Sequence, residues 1–128
     1  EPYIRRRALR HLEKGRIVII AGGTGNPFFS TDSAAALRAA ELNCDLLVKG
    51  TKVDGVFESD PLLNNEAKKF SSISFSEVLE KELAIMDMTA ITLCKENNLP
   101  ILVLDITKKE NLFNALNGDK NIGTKIGK

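Results

Sequence analysis

The chain has 128 residues, 43% of them hydrophobic and 27% charged, the make-up of one ordinary globular domain with a core of its own. Eighteen Lys and Arg against 17 Asp and Glu leave a net charge of +1, which gives no footing for nucleic acid or another polyanion as partner. No apolar run nears the ~18 residues of a membrane span, and Cys44 and Cys94 stand too far apart for a CxxC or zinc spacing, so a membrane partner and a disulfide framework are not expected and a reducing cytoplasm is.

Ile4, Ala8 and Leu12 recur at i, i+4 and i+8 among arginines, which predicts an amphipathic helix over Arg5 to Lys14, with Gly15 just past its end. Arg16-Ile17-Val18-Ile19-Ile20 is a short β-branched run of the kind found in strands buried on both faces. A glycine-rich turn follows, then the alanine-dense run Asp32 to Leu42, which predicts a helix capped by Thr31 or Asp32. Leu46-Leu47-Val48 is the next buried strand, completing a strand–helix–strand unit.

Lys49 to Lys69 is polar and rich in turns, with Val56-Phe57 as a short hairpin strand. Ser76 to Glu82 and Asp87 to Asn97 read as helices, Ile101 to Leu104 as a third strand and Lys109 to Leu116 as a last helix. Residues near Gly123-Thr124-Lys125-Ile126 read as an edge strand or a frayed end. The fold class is α/β, without repeat or linker.

The most informative segment is Ala21-Gly22-Gly23-Thr24-Gly25-Asn26-Pro27-Phe28-Phe29-Ser30-Thr31-Asp32, between a predicted strand and a helix start. Backbone N–H groups and the helix dipole favour an anion there, and glycines allow close approach. Thr24, Ser30 and Thr31 add hydroxyls, Asn26 suits a base or ribose edge, and Phe28 and Phe29 offer apolar surface to a ring. A P-loop is excluded for want of Gly-Lys-Ser/Thr, and a dinucleotide fingerprint because Phe28 stands where its third glycine belongs. The same glycines would serve a plain strand-to-helix connection, but the length and side chains favour a phosphate or nucleotide site of another type.

Lys49-Gly50-Thr51-Lys52-Val53-Asp54-Gly55-Val56-Phe57 also follows a strand's carboxyl end, where ligands sit in open α/β sheets. Lys49 and Lys52 offer charge to a phosphate, Thr51 a hydrogen bond, and Phe57 a flank for a purine; a solvated Asp-Gly turn is the alternative. Asp32 suits organising lysines or a metal ion, or a helix cap; for Asp87 the cap is the stronger reading. His11 reads as a surface residue, the Arg5 to Arg10 run as a solvated face and both cysteines as core fillers. No Ser/His/Asp or Cys/His set assembles.

Taken together, Gly22 to Ala35, Lys49 to Phe57 with Asp60-Pro61, Ser76 to Glu80, Ile85-Met86-Asp87 and Leu99-Pro100-Ile101 resemble, in order and spacing, the prokaryotic UMP kinases. The resemblance covers essentially the whole chain. It implies the amino-acid kinase fold, an αβα sandwich with a mainly parallel sheet, and MgATP-dependent phosphorylation of UMP to UDP in pyrimidine nucleotide synthesis. It implies that Thr24, Gly25, Asn26, Pro27, Phe28, Phe29, Ser30 and Thr31 line the UMP site. It further implies that Thr51, Phe57 and Asp60 contact ATP, and that Asp32 and Asp87 lie near the reacting phosphates. Family members form hexamers, are activated by GTP and inhibited by UTP; Arg10 and Arg16 are the expected contributors to the GTP site.

The family's ATP-phosphate loop, second glycine-rich loop and ribose aspartate have no counterpart here. Residues 1–128, starting at Glu1 rather than methionine, are therefore expected to be the C-terminal half of such a kinase, inactive alone. The alternatives are a nucleotide-binding or storage module of the same fold without turnover, and a family member acting on a carbamate, carboxylate or isopentenyl phosphate.

Overall fold

Nine elements follow one another in the computed structural model, which describes residues 1–128. They are α1 (Arg5–Glu13), α2 (Thr31–Glu41), β1 (Leu47–Thr51), β2 (Ser72–Ser74), α3 (Phe75–Glu80), α4 (Met88–Glu96), β3 (Ile101–Asp105), α5 (Asn111–Leu116) and β4 (Thr124–Gly127). The strands stand in the order β1-β3-β4-β2; β1 and β3 are parallel, as are β2 and β4, and β3 meets β4 antiparallel.

Strand periodicity sets the layers. Ile101 and Val103 of β3 point to one face, where they join Ala36, Ala90, Ile91 and Cys94 of α2 and α4 in the main core. Leu102 points the other way, into a groove it shares with Ala115 of α5. Helices on both faces of a mainly parallel sheet give the expected αβα sandwich. Small buried residues on α2, Ser33, Ala36 and Ala39, let α4 lie close against it.

The helix ends are written in local chemistry. Ser30, Ser74 and Asp87 cap α2, α3 and α4, and Ser74 with Glu77 forms a capping box. Asn43 and Asn98 take left-handed φ of 53° and 52°, and two pairs of backbone bonds then close α2 and α4 alike. Cys44 N–H donates to Ala39 carbonyl at 2.9 Å and Leu99 N–H to Cys94 carbonyl at 2.9 Å.

Four expectations are corrected. Arg16 to Ile20 forms no strand: it joins no ladder, and Ile17 and Ile19 are 94% and 90% exposed, because no strand in the structure offers it hydrogen bonds. The strand–helix–strand unit accordingly lacks its first strand, and β1, one of the sheet's two outer strands, is only half-buried. Thr124 to Gly127 is neither edge nor fray, since it pairs on both sides. Cys44 is exposed at the end of α2 instead of filling the core, whereas Cys94 is fully buried and burial pushes its thiol up to about 11. Strand β2, three residues long, was not foreseen; Val56-Phe57 contributes a single antiparallel bridge, Phe57 to Lys69.

Gly123, which leads into β4, has φ of 71°, and a Cβ there would stand 2.3 Å from the Val103 carbonyl oxygen. Gly123→Ala is therefore expected to cost at least about 2 kcal/mol, combining positive φ with a backbone clash. A fall in the urea midpoint of unfolding with unchanged m-value checks it.

Candidate functional site

The loop before α2 runs over the surface. Gly23 and Gly25 take φ of 67° and 76° with open space where a Cβ would be, so the chain conformation and not crowding calls for glycine. Thr24 Oγ1 accepts from Asn26 N–H at 3.0 Å and Asn26 Oδ1 accepts from Phe28 N–H at 3.2 Å. The Asn26 carbonyl oxygen is thus engaged in the loop's own turn, leaving its NH2 group as the part open to a ligand. Phe28 and Phe29 are 93% and 51% exposed; with Pro27 they form an apolar surface facing solvent.

At the end of this loop two helix starts meet. The cap of α2 is Ser30, whose Oγ accepts from Ser33 N–H at 3.1 Å; Thr31 and Asp32 lie inside the first turn, correcting the expected cap. Asp87 caps α4, its Oδ1 accepting from Ala90 N–H at 2.8 Å. The same carboxylate accepts from Ser33 Oγ at 3.0 Å and from Ser30 Oγ. Partial burial works against its charge, but the bonds from Ser30, Ala90 and Ser33 and the nearby Lys49 ammonium prevail and hold the carboxyl below its usual range.

Asp32, free of capping, pairs with Lys49 Nζ on β1; both side chains are partly shielded. Lys49 also lines a cavity of about 460 Å³ at the carboxyl end of β1. That cavity brings together Thr51, Phe57 and Asp60, the three residues expected to contact ATP, with Val53, Leu83 and Ile85 as apolar walls. The Thr51 hydroxyl accepts from Val53 N–H at 2.6 Å and donates to Val53 carbonyl at 2.9 Å, while Asp60 Oδ1 accepts from Leu62 N–H at 2.8 Å. Both side chains therefore shape their turns, and Lys52 stays exposed without an ion-pair partner.

Thr24 to Phe29 lie outside the cavity; the connection to it runs through Asp32 and Lys49. The sequence pattern assigns no site role to Ser33, Leu83 or Ile85. Ser33 stands three residues after Ser30, a spacing that signals a capped first turn, but its bond to Asp87 spans 54 residues and leaves no local pattern. His11, on α1, sits 2.9 Å from an Arg16 nitrogen at the surface.

An open α/β sheet with ligand-sized space and polar loops at the carboxyl ends of its strands is the arrangement of a small-molecule-binding α/β domain. Residues 2–105 match the model of the amino acid kinase family, and the chain belongs to that family. Over 127 residues it is 57% identical to the chloroplastic uridylate kinase PUMPKIN of Arabidopsis thaliana, covering 99% of this chain and 37% of that protein. Among solved structures, a UMP kinase from Bacillus anthracis matches with a TM-score of 0.96 and 38% identity, over 99% of this chain and 52% of that one. A UMP kinase from Ureaplasma parvum matches at 0.92 and 37%, over 98% and 54%. The chain thus spans about half the length of these solved kinases and less of the curated relative.

Asp87→Ala is expected to lower stability by about 1–2 kcal/mol, the range for losing a helix cap. Asp87→Asn retains an acceptor and costs less near neutral pH. Since the folded carboxyl titrates below its unfolded value, its contribution is present above the usual carboxylate range and disappears as pH falls through the lowered one. Chemical denaturation at a series of pH values checks this: the wild-type advantage over Asp87→Asn closes on acidification.

Proposed function

We propose that this chain is the C-terminal portion of a UMP kinase, transferring the terminal phosphoryl group of MgATP to UMP to give UDP and ADP in pyrimidine nucleotide synthesis. One observation carries the reading: the Asp32–Lys49 pair joins the loop before α2 to the cavity containing Thr51, Phe57 and Asp60, so an acceptor phosphate and a nucleotide donor would be held side by side. The likeness to uridylate and UMP kinases supports the choice of substrates.

In this reading Thr24 to Thr31 hold UMP. The exposed Phe28 and Phe29 pack on the ring, and the N–H groups at the start of α2 receive its phosphate. Thr51, Phe57 and Asp60 hold the adenosine side of ATP, with Leu83 and Ile85 supplying apolar surface. Phosphoryl transfer needs in-line placement and relief of charge more than covalent chemistry. Asp32 orients Lys49 toward the transferring oxygens, and Asp87 keeps the two helix starts in register.

Mg²⁺ accompanying the triphosphate takes most of its ligands from phosphate and water, with one or two carboxylates; Asp32 is the oxygen donor this chain offers, and it fits that hard-cation chemistry. Bound Mg²⁺ would supply neutralisation of the phosphate charge. Besides Lys49, the positive charge over the transferred group would come largely from Mg²⁺ and from the half of the kinase outside this chain. The whole enzyme is a homohexamer in the cytoplasm, responsive to GTP and UTP, with Arg10 and Arg16 in the GTP site; free Cys44 and Cys94 suit a reducing compartment.

An ADP-release assay with MgATP and UMP on protein of full family length is expected to show UMP-dependent turnover, with CMP and acyl acceptors poor. Asp32→Asn is expected to lower kcat by about a hundredfold, in keeping with removing one preorganised electrostatic contact. Nucleotide binding without turnover in the full-length protein would replace the kinase with a binding or storage module. Turnover by the 128-residue chain alone would defeat the division of labour.

A further inference from the structure

Gly55 and Val56 form the inner wall of the cavity that takes in Thr51, Phe57 and Asp60. That wall is held from behind by a closed circuit. Val56 N–H donates to Thr124 Oγ1 at 2.9 Å, the Thr124 hydroxyl donates to the Phe70 carbonyl, and Phe70 N–H donates to the Val56 carbonyl at 2.8 Å. Thr124 is fully buried, so this circuit has no water to fall back on.

Lys69, next to Phe70, closes the loop that carries Asp60. Its backbone pairs with Phe57 in the antiparallel bridge, and its side chain, only 26% exposed, turns inward. The ammonium donates to Asp54 Oδ2 at 3.2 Å and to the Asn121 carbonyl at 3.3 Å, and Lys108 Nζ lies 3.5 Å from Asp54 Oδ1. The aliphatic stem presses on the wall itself: a Cβ on Gly55 would stand 3.2 Å from Lys69 Cδ and 2.5 Å from Thr124 Oγ1. One side chain thus ties the turn after β1, the segment before β4 and the base of the Asp60 loop.

Lys69 itself lines no part of the cavity. A half-shielded ion pair returns little net stability, because desolvation offsets the attraction, whereas it fixes geometry well. We propose that Lys69 is a positioning residue for the nucleotide cavity: by holding Asp54 and the Asn121 carbonyl together it sets the place of Gly55 to Phe57, and so the affinity for an adenine nucleotide. The inference rests on the adenosine reading of the cavity given above.

The test uses full-length protein and two probes, a fluorescent trinitrophenyl-ATP and UMP, with steady-state kinetics alongside. Lys69→Met keeps the stem and removes the charge. It is expected to raise the Kd and KM for the adenine nucleotide about five- to tenfold, the scale of a lost charge-assisted contact, with UMP constants and kcat within about twofold. Lys69→Arg is expected to restore most of the affinity. Raising ionic strength should weaken the clamp in the wild type and leave the Met variant's excess loss smaller.

Asp54→Asn serves as the second variant if Lys69→Met does not fold, and is expected to show the same selective loss. An unchanged adenine-nucleotide Kd, a parallel rise in the constants for both probes, or failure of Arg to rescue would overturn the proposal. Absence of turnover in the wild type, with the selective shift in Kd intact, overturns the kinase reading and leaves the clamp standing. Absence of nucleotide binding in the wild type overturns both.

Discussion

The Asp87 carboxylate stands where two helices begin, and the rest of the site is arranged around it. It caps α4 through Ala90 N–H and accepts hydroxyl bonds from Ser30 and Ser33, the first of which is itself the cap of α2. One charged group thereby satisfies donors on two elements separated by more than fifty residues. Because the small face of α2 lies against α4, moving Asp87 would disturb both the packing and the exit of the glycine-rich loop. The bonds it receives are charge-assisted, which is why it stays ionised despite partial burial.

The same arrangement organises the electrostatics. Two helix N-termini directed at one region create a positive potential suited to phosphate. Two carboxylates sit within that field: Asp87 is held by hydroxyls and an amide, and the charge of Asp32 is offset by Lys49. Lys49 is shared between that ion pair and the cavity beyond, which makes β1 the physical link between the two loops. Behind the cavity, Thr124 performs for β4 and the Val56 turn what Asp87 performs for the helices, joining segments distant in sequence through one side-chain oxygen.

How much of this was legible depends on the range of the interaction. Helices with local signals were readable: alanine density and periodicity located α1, α2 and α4 to within a residue or two, and Asp87 announced its cap. β3 was readable because Ile101 to Leu104 is apolar and follows Pro100. What failed was pairing. Arg16 to Ile20 has the composition of a buried strand, yet composition does not supply a neighbour, and without one the segment lies open. β4 failed in the opposite sense: four residues with Thr124 and Lys125 among them look like an edge, but a hydroxyl that donates to Phe70 and accepts from Val56 makes Thr124 an interior residue. Thr51, Phe57 and Asp60 line one cavity because they follow one strand end, whereas Ser33, Leu83, Ile85 and Lys69 make their contacts across the fold and carry no local signature.

The position of β3 has a consequence for how the molecule opens. Like β4, it has a parallel neighbour on one side and an antiparallel one on the other, and most of its residues are buried. Its amides should exchange with deuterated solvent only through wholesale unfolding, while those along the outer margin of β1 exchange through small local fluctuations. Local stability therefore declines from the centre of the sheet toward β1 and the loop before α2. The parts of the molecule proposed to hold nucleotides include those that can rearrange without disturbing the core.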